Sequence, residues 1–120
     1  MKEQKEKKLQ LPKIIDKPWG REVIWAHTDD YVGKEIFIKS GHKLSKQYHV
    51  EKEETVYVAS GVLELQLKEI TKILTPGSSC HIPPGTIHRF CAGNESVTLI
   101  EVSTTHLDDV VRLEDDYGRE

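Results

Sequence analysis

An all-β fold, a sandwich or a closed barrel, is the class this sequence predicts. Three observations point there. Short runs alternate apolar and polar residues, most strictly Val62–Leu67 (VLELQL). Turn signals such as Ser40-Gly41, Ser60-Gly61, Pro76-Gly77 and Pro83-Pro84-Gly85 cut the chain, at a spacing of about 8–12 residues that suits such folds. At 120 residues the chain is long enough for one domain with its own core. A closed barrel is favoured over an open sheet because closure removes exposed edges.

The elements follow in order. Residues 1–10 alternate Lys, Glu and Gln and show no core face, so they read as a flexible tail. One ordered domain is expected over 11–120, starting near Leu11 or Pro12. Glu22–His27 reads as the first strand. Gly33–Lys39 (GKEIFIK) is rich in β-branched and aromatic residues and stops at Ser40-Gly41. Leu44–His49 and Glu54–Ala59 (ETVYVA) follow, then Val62–Leu67, Glu69–Leu74 and Cys80–Ile82. Ile87–Cys91 and Val97–Ser103 are the last strands, and Leu107–Leu113 (LDDVVRL) reads as a short helix.

Composition excludes several classes. Lys and Arg total 17 against 20 Asp and Glu, a formal net charge of −3. A mildly acidic chain lacks the pull that nucleic-acid binding needs. No apolar run approaches the roughly 20 residues that span a bilayer, and the charged N-terminus has no secretory apolar stretch. The two cysteines, Cys80 and Cys91, lack zinc-ribbon spacing and read as reduced thiols of a cytoplasmic protein. Trp19 reads as a packing anchor.

Polar residues on the inner face of a barrel are costly unless they serve a purpose. Gln47 and His49 are two apart in a strand, so they share a face. Glu54 opens the next strand after a short turn, and His88 follows the rigid Pro83-Pro84-Gly85 turn. Together they form a candidate divalent-metal set, open to Zn, Fe, Ni, Cu or Mn by donor chemistry. The residues between, 51–53, read as a solvated turn.

These residues carry a family resemblance. Gly41-x5-Gln47-x-His49-x4-Glu54-x6-Gly61 resembles the first cupin motif, with Gln47 in place of a histidine. Gly77-x5-Pro83-x-Gly85-x2-His88 resembles the second, although Ala92 stands where that motif ends in Asn. The resemblance implies a double-stranded β-helix, a small jelly-roll barrel with a metal in its mouth. Pro18-Trp19-Gly20, Leu44–His49, Ile82–Arg89, Ile100-Glu101-Val102 and Val111–Arg119 narrow it. From Pro18 to Arg119 the chain is similar to the type II mannose-6-phosphate isomerase family, often the C-terminal part of mannose-1-phosphate guanylyltransferase fusions. That implies zinc first, with Mn, Fe, Co or Ni as alternatives, and a homodimer. Guanylyl transfer is not expected, since the nucleotidyltransferase half is missing. The family commonly reads Gln-Met-His-His-His-Arg where this chain has Gln47-Tyr48-His49-Val50-Glu51-Lys52, so the metal set is kept while the pocket edge differs.

The expected chemistry is aldose–ketose isomerisation of a sugar phosphate through a cis-enediol. Glu101 interrupts an apolar strand and is the candidate base. Lys39, Lys46, Arg89 and Arg119 are the candidate phosphate cations. Strand alternation turns Lys46 and Arg89 away from Gln47 and His88, so they would reach the pocket only at its rim. The alternatives are another cupin enzyme, acting on a different sugar or as an oxygenase, and a metabolite-binding cupin without turnover.

Overall fold

The computed structural model describes residues 9–119, so residues 1–8 of the expected tail lie outside the described part. Leu9 and Leu11 are almost fully exposed. Eleven strands and no helix are present among the described residues. They are β1 (Lys13–Lys17), β2 (Gly20–His27), β3 (Val32–Ile38), β4 (Lys46–Tyr48), β5 (Glu54–Ser60) and β6 (Leu63–Leu67). Then come β7 (Ile70–Leu74), β8 (Ser79–Ile82), β9 (His88–Ala92), β10 (Val97–Ser103) and β11 (Val111–Glu114). Two antiparallel sheets result, ordered β1-β2-β3-β10-β5-β8 and β11-β4-β9-β6-β7.

Side-chain alternation explains which residues meet between the sheets. On β10, Val97, Leu99, Glu101 and Ser103 are buried, and on β5, Glu54, Val56 and Val58. The other sheet contributes Leu63, Leu65 and Phe90. Each such aliphatic or aromatic side chain stabilises the fold by about 1.5–3 kcal/mol on burial. Trp19 is 2% exposed and packs in this cluster, as an anchor should. Gly61 turns the chain between β5 and β6 at φ 77°, and a Cβ there would collide with the Ser96 carbonyl oxygen.

Three elements differ from the expectation. Residues 107–113 are not a helix. They form a turn followed by β11, which pairs Val111 with Tyr48 and Arg112 with Gln47. The free edge of β4 offers a ladder that local helical spacing cannot match. An additional strand, β1, pairs along the whole of 13–17 with β2. The expected strand 44–49 is regular only over 46–48, although Leu44 N–H still bonds the Phe90 carbonyl at 3.0 Å. No helix among the described residues is long and apolar enough to cross a membrane.

Candidate metal centre and its cavity

Three elements deliver the central residues. His49 follows β4, Glu54 opens β5 and His88 opens β9. The Gly85 N–H donates to the His49 carbonyl at 2.7 Å, which ties the Pro83-Pro84-Gly85 turn to the end of β4. Gln47 lies directly across the ladder from His88, so these two share a face.

The ligand atoms of His49, Glu54 and His88 lie within 4.8 Å of one another, and all three residues are buried. Glu54 Oε1 is 3.0 Å from His49 Nε2 and 3.4 Å from His88 Nε2. Each imidazole uses its other nitrogen on a backbone carbonyl. His49 Nδ1 bonds the Asp109 carbonyl at 2.6 Å, and His88 Nδ1 bonds the Thr86 carbonyl at 2.8 Å. In a neutral ring with Nδ1 donating, Nε2 directs a lone pair at Glu54. Lone pairs facing a carboxylate at these distances repel unless a cation stands between them. His88 Nε2 and Glu54 Oε2 are buried without a hydrogen-bond partner, which native interiors seldom tolerate. The residues therefore fit a divalent cation, held by two neutral imidazoles and one carboxylate. Gln47 Oε1, which accepts from Ser45 Oγ at 2.5 Å, lies on the same face as His88.

Glu101 lies next to this set, 2% exposed. Burial, and then the charge of Glu54, push its carboxyl up to about 8, against the pull of Lys34 and Lys52. Burial also acts on Glu54, but its close contacts with Glu101, His49 and His88 and the charge of Lys52 outweigh it and hold that carboxyl well below the usual range. The two neighbouring acids are thus pushed in opposite directions, Glu54 down and Glu101 up.

Sequence reasoning missed two buried lysines. Lys52 was read as part of a solvated turn, yet it is 4% exposed, 3.1 Å from Glu101 Oε2 and 3.6 Å from Glu54 Oε2. Lys34 Nζ lies 3.7 Å from Glu101 Oε2 and 3.3 Å from Glu22 Oε1. Only the mutual attraction of these ions offsets the cost of taking them out of water. Lys34 shares the inward face of β3 with Ile36 and Ile38, so alternation could have found it. Lys52 lies outside any strand and gave no such signal.

Above the set lies a cavity of about 100 Å3, whose walls include Trp19, Gln47, His49, Lys52, Arg112 and Arg119. Of the expected phosphate cations, only Arg119 lines it. Asp115 holds Arg119 through Nε at 2.9 Å and a second guanidinium nitrogen at 2.9 Å. Lys39 is exposed away from the cavity. Lys46 pairs with Glu114 at 3.8 Å. Arg89 is buried on the far side, donating from Nε to the Leu44 carbonyl at 2.7 Å and from Nη2 to Asp116 Oδ1 at 3.0 Å. Strand alternation turns Lys46 and Arg89 outward, as their positions beside Gln47 and His88 imply. Arg112 and Lys17 line the cavity instead, and the buried Arg112 Nε has no hydrogen-bond partner. Misreading β11 as helix hid Arg112.

Asp109 was also missed. Its carboxylate accepts the N–H groups of Val50 at 2.9 Å, Glu51 at 2.6 Å and Lys52 at 2.8 Å. These bonds, led by that from Glu51, hold its carboxyl down at about 2.

Comparison with known proteins agrees with this architecture. The family model of the mannose-6-phosphate isomerase C-terminal domain matches residues 3–115. A mannose-1-phosphate guanylyltransferase of Salmonella montevideo is 36% identical over 111 residues, covering 88% of this chain and 23% of that protein. The alginate biosynthesis protein AlgA of Pseudomonas aeruginosa is 36% identical over 109 residues, with the same coverages of 88% and 23%. The chain thus spans about a quarter of the length of these relatives. Among solved structures, KdgF from Halomonas sp. superposes with a TM-score of 0.73 at 24% identity, over 80% of this chain and 90% of that one. An RmlC-like cupin from Shewanella frigidimarina gives 0.72 at 20% identity, over 81% and 86%. At these identities the likeness establishes the fold, a cupin double-stranded β-helix.

Proposed function

Because the chain belongs to the mannose-6-phosphate isomerase C-terminal family, we propose that it is a metal-dependent sugar-phosphate isomerase interconverting mannose 6-phosphate and fructose 6-phosphate. The observation that carries this reading is the buried His49, Glu54 and His88 set with the buried Glu101 carboxyl beside it. Gln47, His49, Glu54 and His88 would hold the metal. Zinc is the first choice, and Mn, Fe, Co and Ni are the alternatives. When bound, the metal supplies Lewis-acid polarisation of the two oxygens that carry charge in the cis-enediol.

The remaining steps fall to side chains. Glu101 moves the proton between C1 and C2. Its raised proton affinity suits a group that must both take and return a proton near neutral pH. Lys52 and Lys34 both approach Glu101 Oε2 and keep that carboxyl oriented. Arg119, Arg112 and Lys17 take the phosphate at the rim, in place of Lys39, Lys46 and Arg89. A hexose phosphate does not fit within about 100 Å3, so its phosphate end stays at the mouth. The small cavity also favours a second reading, a module that holds a metabolite without turnover.

The proposal extends to pairing with a second copy in the cytoplasm. Trp25, Tyr57 and Val102 are exposed large side chains of the six-stranded sheet, and Cys80 and Cys91 are free thiols. Sedimentation of the purified protein reads the pairing.

The activity test is conversion of mannose 6-phosphate after loading with each metal in turn. Turnover is expected with at least one metal. His49→Ala and Glu54→Ala should abolish it, and Glu101→Gln should lower kcat by about 10²–10⁴-fold. Bound metal without turnover, whichever metal is loaded, leaves the binding module.

A further inference from the structure

We infer that Asp109 is the positioning residue of the metal set, acting on two parts of it at once from 60 residues along the chain. This rests on the metal-binding reading above. The Asp109 backbone carbonyl accepts from His49 Nδ1 at 2.6 Å, which fixes the ring's rotation and leaves Nε2 as the free donor to a cation. Its side chain gathers three consecutive N–H groups, those of Val50, Glu51 and Lys52. These residues form the connection between His49 and Glu54, so their shape decides how far apart two ligands stand.

The two contacts depend on each other. The carboxylate pins the segment to the 50–52 turn, and that pinning sets the carbonyl where His49 needs it. A bond from one flexible carbonyl would orient the ring loosely, whereas four bonds to one residue over-determine it. Leu107 and Val110, on either side in the same segment, form part of the cavity wall. The wall and the metal set therefore share one support. The neighbouring Asp108 is exposed and provides a control.

The experiment measures Zn2+ affinity of the full chain by competition with a chromophoric chelator, alongside the melting temperature of the metal-free protein. Asp109→Ala should weaken Zn2+ binding by about 10–100-fold. Asp109→Asn keeps acceptor oxygen but turns an amide N–H toward a donor, and should fall between wild type and Asp109→Ala. Asp108→Ala should leave the affinity unchanged. A merely structural role would lower the metal-free melting temperature and leave the affinity of the folded protein intact. Zn2+ affinity within about twofold of wild type in folded Asp109→Asn overturns the inference, even if Asp109→Ala does not fold. A wild-type chain that binds no Zn2+, Mn2+ or Co2+ overturns the metal reading beneath it.

Discussion

Lys52 shows how much a single residue carries here. Its ammonium is the shared partner of Glu54 and Glu101 in the buried interior of the barrel. Replacing it with Met leaves two buried carboxylates with one cation fewer, at an expected cost of about 3–5 kcal/mol. Adding Glu101→Gln removes the carboxyl that Lys52 Nζ meets at 3.1 Å. The double variant should then cost less than the sum of the singles by about 0.5–3 kcal/mol. Urea melts of the four metal-free proteins measure this, and strict additivity would mean that Lys52 and Glu101 do not interact. At this scale the sequence was partly legible. Gln47, His49, Glu54 and His88 could be named because their spacing is bound to turns of fixed length. Glu101 could be named because it breaks an apolar strand. Lys52, Asp109 and Arg112 could not, because their roles come from segments that meet only after folding.

Among the elements, alternation made most strands readable. Val62–Leu67 and Val97–Ser103 have one buried and one open face, and each covers an observed strand. Residues 107–113 were misread for a physical reason. Leu107, Val110 and Val111 have helical spacing, and Asp108 and Asp109 suit a helix start. The Asp109 carboxylate is instead spent on Val50, Glu51 and Lys52, and Val111 joins β4. Long-range bonds won over local preference. The turn from β5 to β6 is the opposite case, where local chemistry decides. Gly61→Ala would force a side chain to φ 77° and against the Ser96 carbonyl. The expected loss is about 1–3 kcal/mol, read as a lower urea midpoint with an unchanged slope. An unchanged midpoint would mean that the turn relaxes.

At the scale of the whole molecule, His49, Glu54 and His88 stand between the two sheets, so a cation held by them would join the sheets. His49 follows β4 and His88 opens β9 in one sheet, and Glu54 opens β5 in the other. A cation bound to all three would stabilise the folded chain alone. At a free metal concentration of one hundred times Kd the gain is about 2.7 kcal/mol. In a chain of this size that raises Tm by roughly 10 °C. Calorimetry should show the rise on adding zinc, its reversal by a chelator and its absence in His49→Ala. A rise that survives His49→Ala would place the ion elsewhere. The Asp109 clamp also has a consequence in time. As the chain is synthesised, His49, Glu54 and His88 emerge before the residue that orients the first of them. A nascent chain therefore holds donors without geometry, and on the proposed metal reading a cation would be taken up only after the segment around Asp109 has docked on the finished barrel.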